Sequence, residues 1–145
     1  MSACRIVFKS GTNDDVNVHV SSRIRRTFNS TEPVDEYFDE TSTTLKMLNP
    51  NGELDACDIE LTSAAFPDIT IICDDLECPI EQDDDRIYFN GKLNITHNNE
   101  ANGNVYLKQI DVPEIYFNVT GTVSIEKLTS DIGGRVIAQN GDVWI

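Results

Sequence analysis

Residues 136–145 read VIAQNGDVWI, and this stretch decides the predicted fold. Two runs rich in β-branched residues flank Asn140-Gly141, a dipeptide typical of two-residue β-hairpin turns because such turns require positive φ at both positions. In that register apolar residues oppose one another on one face of the hairpin. The opposed pairs would be Ala138 with Val143 and Val136 with Ile145. The stretch therefore predicts an antiparallel hairpin.

Two further turns fit three-residue loops, because only that loop length sets apolar residues opposite one another. They surround Asn90-Gly91 and Thr120-Gly121. The opposed pairs would be Phe89 with Leu93, Ile87 with Ile95, Val119 with Val123, and Phe117 with Ile125. Near the start of the chain, we expect Ile6 and Phe8 to pair with residues 16–20 in the same antiparallel manner.

Short alternating runs of apolar residues, typical of strands, recur along most of the chain. They include residues 69–72, 105–107 and 115–119. A single helix is predicted after Ser30, which would cap it, with Pro33 in the first turn. Its apolar face would consist of Val34, Tyr37 and Phe38.

These patterns predict one all-β domain over residues 1–145, an antiparallel sandwich or barrel built from hairpins with at most one short helix. Residues 1–50 would form an N-terminal hairpin and a short helical or loop segment, residues 51–86 an acidic segment, and residues 87–145 a hairpin-rich sheet. A β-solenoid is the alternative, because a fixed period is typical of solenoids. Pairs of the form apolar-x-apolar begin every 18 residues, at Ile69, Ile87, Val105 and Val123, and again at Val143.

The net charge of −14 is concentrated in one part of the chain. Residues 51–86 contain twelve acidic residues and a single basic residue, Arg86. A surface of this charge repels DNA and anionic membranes, so we expect no direct nucleic-acid binding. No apolar run approaches the ~20 residues of a membrane helix, so we expect no membrane insertion.

No apolar segment of a signal peptide follows Met1, so we expect synthesis in the cytoplasm, with incorporation into a larger particle left open. In a reducing cytoplasm the four cysteines would be thiols. A disulfide between Cys73 and Cys78 is the alternative, for a protein that works outside the cell. The sequons at Asn29, Asn94 and Asn118 are interpreted as chance matches.

Catalytic motifs are absent from the sequence: it contains no nucleophile elbow, no phosphate-binding glycine loop and no pair of zinc-ligating histidines. We therefore predict that the chain is not an enzyme and holds no cofactor. The densest acidic stretch, residues 74–85, is interpreted as a solvated loop. The alternatives are a calcium site or a contact with a basic partner. The calcium ligands would come from Asp74, Asp75, Asp83, Asp84 and Asp85.

Three groups of residues are predicted to contact a partner protein. They are Arg23, Arg25 and Arg26; Asp83, Asp84 and Asp85; and Trp144 with Ile145. The arginines fit an exposed edge strand whose charges block stray pairing, or a contact with the acidic segment of another copy. Trp144 and Ile145 are both large and apolar, and aromatic residues of this kind are typical of buried contacts.

Two classes of function fit these features. The first is a non-enzymatic structural or assembly subunit, or a protein-binding β-module, of the kind found in viral or appendage-like assemblies. The second is an acidic decoy that occupies the nucleic-acid-binding site of another protein, because carboxylates on a rigid sheet can imitate phosphates. An enzyme whose site is not recognisable in the sequence is the third hypothesis.

Overall fold

A computed structural model describes residues 3–22, 38–39, 42–48, 56–74, 77–98 and 103–145. These residues form strands and no helix, which confirms the all-β prediction. The helix predicted after Ser30 lies outside the described residues, apart from Phe38. The described strands are β1 (Ala3–Ser10), β2 (Asn17–Ser22), β3 (Phe38–Asp39), β4 (Thr44–Leu48), β5 (Ala56–Ser63), β6 (Ile69–Asp74), β7 (Ile80–Gln82), β8 (Arg86–Tyr88), β9 (Leu93–Asn98), β10 (Val105–Asp111), β11 (Glu114–Val119), β12 (Val123–Thr129), β13 (Gly133–Ala138) and β14 (Val143–Trp144).

The strands form two sheets. Sheet A has the order β14-β12-β10-β7-β1-β5-β2, with β8 also paired to β10, and sheet B has the order β13-β11-β9-β6-β4-β3. From β9 onward the chain alternates between the sheets, and each strand pairs in parallel with the strand two places later. This stacking of successive coils is the arrangement of a β-solenoid.

The three C-terminal hairpins predicted from the sequence are wrong. Val143 of β14 lies beside Val123 of β12 in a parallel pair, and does not pair with Ala138. The reason is that β13 and β14 belong to different sheets, as do β8 and β9, and β11 and β12. Among the described strands, antiparallel pairing is confined to β2 with β5 and β3 with β4.

Gly91, Gly121 and Gly141, which suggested hairpin turns, lie instead at corners of the coil, and Gly91 lies where the chain passes from sheet A to sheet B. Gly103, Gly121 and Gly141 each lie where the chain passes from sheet B to sheet A. The N–H of Gly121 donates to the carbonyl oxygen of Gly103 at 3.0 Å, so successive corners stack on one another. Gly141 does not have positive φ. Glycine is required there because a Cβ would lie 2.7 Å from the backbone of Gly121.

Strand β1 is inserted into the middle of sheet A, between β5 and β7 and parallel to both. Ile6 lies beside Ile59 on one side and beside Ile80 on the other. The predicted pairing of β1 with residues 16–20 is therefore wrong, because β2 pairs with the opposite edge of β5. Strands β5 and β7 come from successive coils, so β1 separates two coils that would otherwise be neighbours.

The core lies between the two sheets and contains inward-facing residues from both. Alternate residues of β6 and β9 are buried, as expected for strands with one face towards the core. Three aromatic rings meet at its centre. Phe66 stacks on Phe89 with ring centroids 5.1 Å apart, and Phe8 of the inserted strand packs edge-on against Phe66 at 5.4 Å. This cluster ties β1 to the coils on both sides of it.

Candidate functional site

The outer face of sheet A carries a network of charged side chains, here called the charged ladder. Parallel pairing brings together residues far apart in the sequence. Its basic members each lie within 4 Å of a carboxylate. The ion pairs are Arg5 with Asp58 (3.4 Å) and Glu81 (3.2 Å), Lys9 with Glu60 (3.2 Å) and Asp83 (3.6 Å), Arg86 with Asp111 (2.6 Å), and Lys108 with Asp85 (3.9 Å). Because most of these groups are substantially exposed, screening by solvent keeps the contribution of each pair to stability small.

The triple aspartate of residues 83–85 forms a bulge in sheet A. Strands β7 and β8 both pair with β10, but the chain between their paired positions holds two more residues than the facing part of β10. The additional residues are displaced from the sheet, as in other β-bulges. The interpretation of residues 74–85 as a solvated loop is therefore correct only in part: Asp83 and Asp85 are exposed between two strands, whereas residues 80–82 form β7, with Ile80 and Gln82 buried.

The buried side chain of Gln82 holds the bulge in place. Its Nε2 donates to the carbonyl oxygens of Asp84 at 2.7 Å and Gln109 at 3.1 Å. Its Oε1 accepts from the backbone N–H of Lys108 at 3.2 Å. The backbone N–H of Ser10 in β1 donates to the Asp84 carboxylate. The bulge is thus fixed to both of its neighbouring strands.

A shallow groove of about 440 Å³ runs beside the bulge on the same face of sheet A. Gln82 and Leu107, which are both buried, lie beneath it. Its walls are formed by Glu81, Tyr106, Lys108, Ser124 and Glu126. The ring of Tyr106 is 47% exposed. This groove was not predicted from the sequence, because only the parallel register places Glu81, Tyr106 and Ser124 in one row across three strands.

The second candidate surface, here called the terminal edge, consists of the outer edges of β13 and β14. Both sheets end at this side of the solenoid, and in the described part of the chain no further strand pairs with either edge. Four large apolar side chains are exposed there. They are Ile132 (68% exposed), Val143 (44%), Trp144 (64%) and Ile145 (61%).

The structure separates the partner-contact residues predicted from the sequence. Trp144 and Ile145 lie at the terminal edge, whereas residues 83–85 lie beside β10, three strands away. Three strand spacings correspond to about 14 Å. The arginine cluster Arg23, Arg25 and Arg26 lies outside the described residues.

The predicted calcium ligands do not come together among the residues that the structure describes. Asp74 lies at the end of β6 in sheet B, whereas Asp83, Asp84 and Asp85 lie in sheet A. Asp75 is not among the described residues. Within the described ranges, no group of three or more His, Cys, Asp or Glu residues is arranged to hold a metal ion.

The expectation of thiols is wrong for one pair of cysteines. Cys73, in β6, and Cys78, two residues before β7, form a disulfide, and both are fully buried. The bond closes the corner through which the chain passes from sheet B to sheet A. The backbone register of β1 and β5 places Cys4 opposite Cys57.

A buried histidine lies next to this disulfide. His97 is 2% exposed and lies opposite Cys73 in the parallel pair of β6 and β9. Its Nε2 donates to the carbonyl oxygen of Cys78 at 3.0 Å, so Nδ1 carries no proton in the neutral ring. Burial lowers the pKa of His97 because it disfavours the imidazolium, and the hydrogen bond to Cys78 opposes this effect in part.

Comparisons with protein-family models, with curated proteins and with solved structures found no match to this chain. The described residues contain no helix with the length and hydrophobicity needed to cross a membrane. Two surfaces of the described residues are candidates for a functional interpretation. One is the groove beside the charged ladder, and the other is the terminal edge.

Proposed function

We propose that this chain is a non-enzymatic assembly subunit that associates with a second copy of itself through the terminal edge. The observation that carries the proposal is the exposure of Trp144 and its apolar neighbours beside the outer edges of β13 and β14. A strand edge presents N–H and C=O groups that can pair with a strand of another chain. Exposed apolar and aromatic side chains beside such an edge add the contact area that stabilises the pair.

Charge favours this end of the molecule for contact between two copies. Residues 123–145 contain three acidic and two basic residues, so their net charge is −1, whereas residues 51–86 carry −11. The bulge at residues 83–85 lies about 14 Å from β14, which exceeds the Debye length of about 8 Å at physiological salt. Two copies that meet at the terminal edge therefore keep their acidic faces apart.

The charged ladder favours an assembly subunit over an acidic decoy. A decoy needs free carboxylates spaced along a face, so that basic groups of its target can bind them. In the ladder, six carboxylates are within 4 Å of four basic side chains of the same chain. The carboxylates of the ladder are thus already paired within the chain.

An experiment on Val143 tests the proposed edge pairing. The carbonyl of Asp142 accepts the N–H of Val123 at 2.9 Å, and successive residues of a strand direct their backbone groups to opposite sides. The N–H of Val143 therefore points to the open edge. Val143→Pro removes this donor without breaking a bond to β12. Val143→Thr is the matched control, because it keeps the N–H and a β-branched side chain.

The measurement is the molar mass from size-exclusion chromatography with multi-angle light scattering, with circular dichroism to check folding. We expect the wild type and Val143→Thr to form a dimer and Val143→Pro to be a folded monomer. A monomeric wild type would contradict the proposal. So would a Val143→Pro variant that dimerises as strongly as Val143→Thr.

A further inference from the structure

We propose that the groove beside the charged ladder binds a neutral oligosaccharide. This inference does not depend on dimerisation, because the groove is formed by β7, β10 and β12 and not by the terminal edge. Three features of the groove favour such a ligand: its polar groups, its charge balance and its rigid base.

The polar groups of the groove match the hydroxyl groups of a sugar. Glu81 and Glu126 offer acceptor oxygens, the ammonium of Lys108 is a donor, and the hydroxyl of Ser124 is both. Tyr106 adds an exposed ring against which the C–H face of a sugar ring can stack. A ligand that both donates and accepts along its length, and that has an apolar ring face, satisfies all of these groups at once.

The charge balance of the groove favours a neutral ligand. Glu81 already forms an ion pair with Arg5 at 3.2 Å, and Lys108 forms one with Asp85 at 3.9 Å, so neither Glu81 nor Lys108 presents an uncompensated charge to the groove. A cationic peptide would meet Lys108 in the wall of the groove. An anionic ligand would be repelled by the net charge of −14 of the whole chain. A neutral polyhydroxylated chain is repelled neither by Lys108 nor by the net negative charge of the protein.

The base of the groove is rigid before any ligand binds. Gln82 is fixed by three hydrogen bonds to backbone groups, one in the bulge itself and two in β10. Leu107, beside it, is 3% exposed and belongs to the hydrophobic core. Prior fixation of this kind reduces the entropy lost on binding. The volume of about 440 Å³ lies within the range of about 300–1,000 Å³ that is usual for small-molecule sites.

Affinity electrophoresis and calorimetry test the inference. The 145-residue protein would be run through gels that contain starch, hydroxyethyl cellulose or galactomannan as neutral probes and alginate as an anionic one. Maltohexaose, cellohexaose and mannohexaose would then be titrated by calorimetry. We expect at least one neutral probe to retard and bind the protein, and alginate not to do so.

Two tyrosine variants locate the site. Tyr106→Ala should weaken the binding of the neutral probe about tenfold, the loss expected when one stacked aromatic contact is removed. Tyr116→Ala is the matched control, because Tyr116 is similarly exposed, at 40%, but lies on the outer face of sheet B. Equal binding by the two variants overturns the inference. It is also overturned if every neutral probe fails to bind, or if an oligolysine peptide binds at Tyr106 in their place.

Discussion

Replacing Gly121 by alanine should destabilise the solenoid through backbone packing alone. A Cβ at Gly121 would lie 2.8 Å from the carbonyl carbon of Gly103 and would also overlap the side-chain oxygen of Asn104. That oxygen accepts the N–H of Thr122 at 2.8 Å, so displacing it breaks a hydrogen bond at the corner. The φ of Gly121 is not positive, so alanine introduces no conformational strain of its own.

The expected loss can be assembled from these contacts. Forcing an additional methyl group into a packed position costs about 1–3 kcal/mol, and the broken hydrogen bond adds about 1 kcal/mol. The free energy of unfolding should therefore fall by about 2–4 kcal/mol. For a chain of this length the midpoint of thermal unfolding should fall by roughly 6–12 °C.

Gly133→Ala separates packing from conformation. Gly133 has a φ of 100°, but a Cβ there would have no atom within 4 Å. Alanine should thus cost only about 1–2 kcal/mol, through the left-handed backbone. Thermal unfolding followed by circular dichroism measures both variants. If Gly121→Ala is as stable as Gly133→Ala, or more stable, the stacked-corner explanation is wrong.

The asparagine at the same corner gives a second check. In Gly121→Ala combined with Asn104→Ala, the overlap with the side chain disappears while the overlap with the backbone of Gly103 remains. The double variant should therefore lose less stability than the sum of the two single losses. Simple additivity would mean that the added methyl group does not meet Asn104.

Two further predictions concern the buried corner beside sheet B. Replacing Cys73 and Cys78 together by alanine should lower the free energy of unfolding by about 2 kcal/mol, the loop-closure effect of a short disulfide, as measured in urea. Peptide mass mapping without reductant should recover the Cys73–Cys78 cross-link from the wild type, and free thiols at both positions would refute it. Because the pKa of His97 is lowered on folding, the unfolded chain takes up a proton more readily, so stability should fall as the pH drops below about 6.5. His97→Asn should reduce this dependence in urea titrations at several pH values, whereas His19→Asn, at an exposed position, should leave it in place; an equal response of the two variants would assign the effect to other groups.

The strands were more predictable than their partners. Runs such as residues 69–72, 105–107 and 115–119 are strands, because alternating burial leaves a local pattern in the sequence. The same alternation fits the antiparallel strands of a hairpin and the parallel strands of a solenoid equally well, so it does not specify which strands pair. Asparagine-glycine pairs favoured hairpins through positive φ, yet Gly141 is required for close stacking. Only the structure distinguishes these two uses of glycine.

The 18-residue spacing predicted the parallel partner of a strand correctly in one case. Val105 and Val123 are partners in parallel strands of sheet A. Ile87, however, pairs with Ile110, because the bulge and the corners add residues to that coil. Ile69 belongs to sheet B and pairs with Leu93. Coils of unequal length therefore conceal the period, and the parallel alternative could not be selected from spacing alone.

The candidate surfaces were predictable only where they consist of neighbouring residues. The apolar residues Trp144 and Ile145 stood out in the sequence, and both are exposed. The groove did not, because Glu81 and Tyr106 are neighbours only through the pairing of β7 with β10. The cytoplasmic expectation led to thiols at Cys73 and Cys78, whereas disulfides persist in oxidising compartments.

The inserted strand β1 has a consequence for the order in which the molecule can be completed during synthesis. Ile6 leaves the ribosome before either of its partners, Ile59 and Ile80, has been translated. Strand β1 must therefore remain without one of its two neighbours until Ile80 of β7 has been translated. Such long-range pairing slows folding, because loop closure precedes the gain in contacts. Strand β1 is thus fixed on both sides only after β7 has been made, and until then Ile6 and Phe8 lack part of the core that finally covers them.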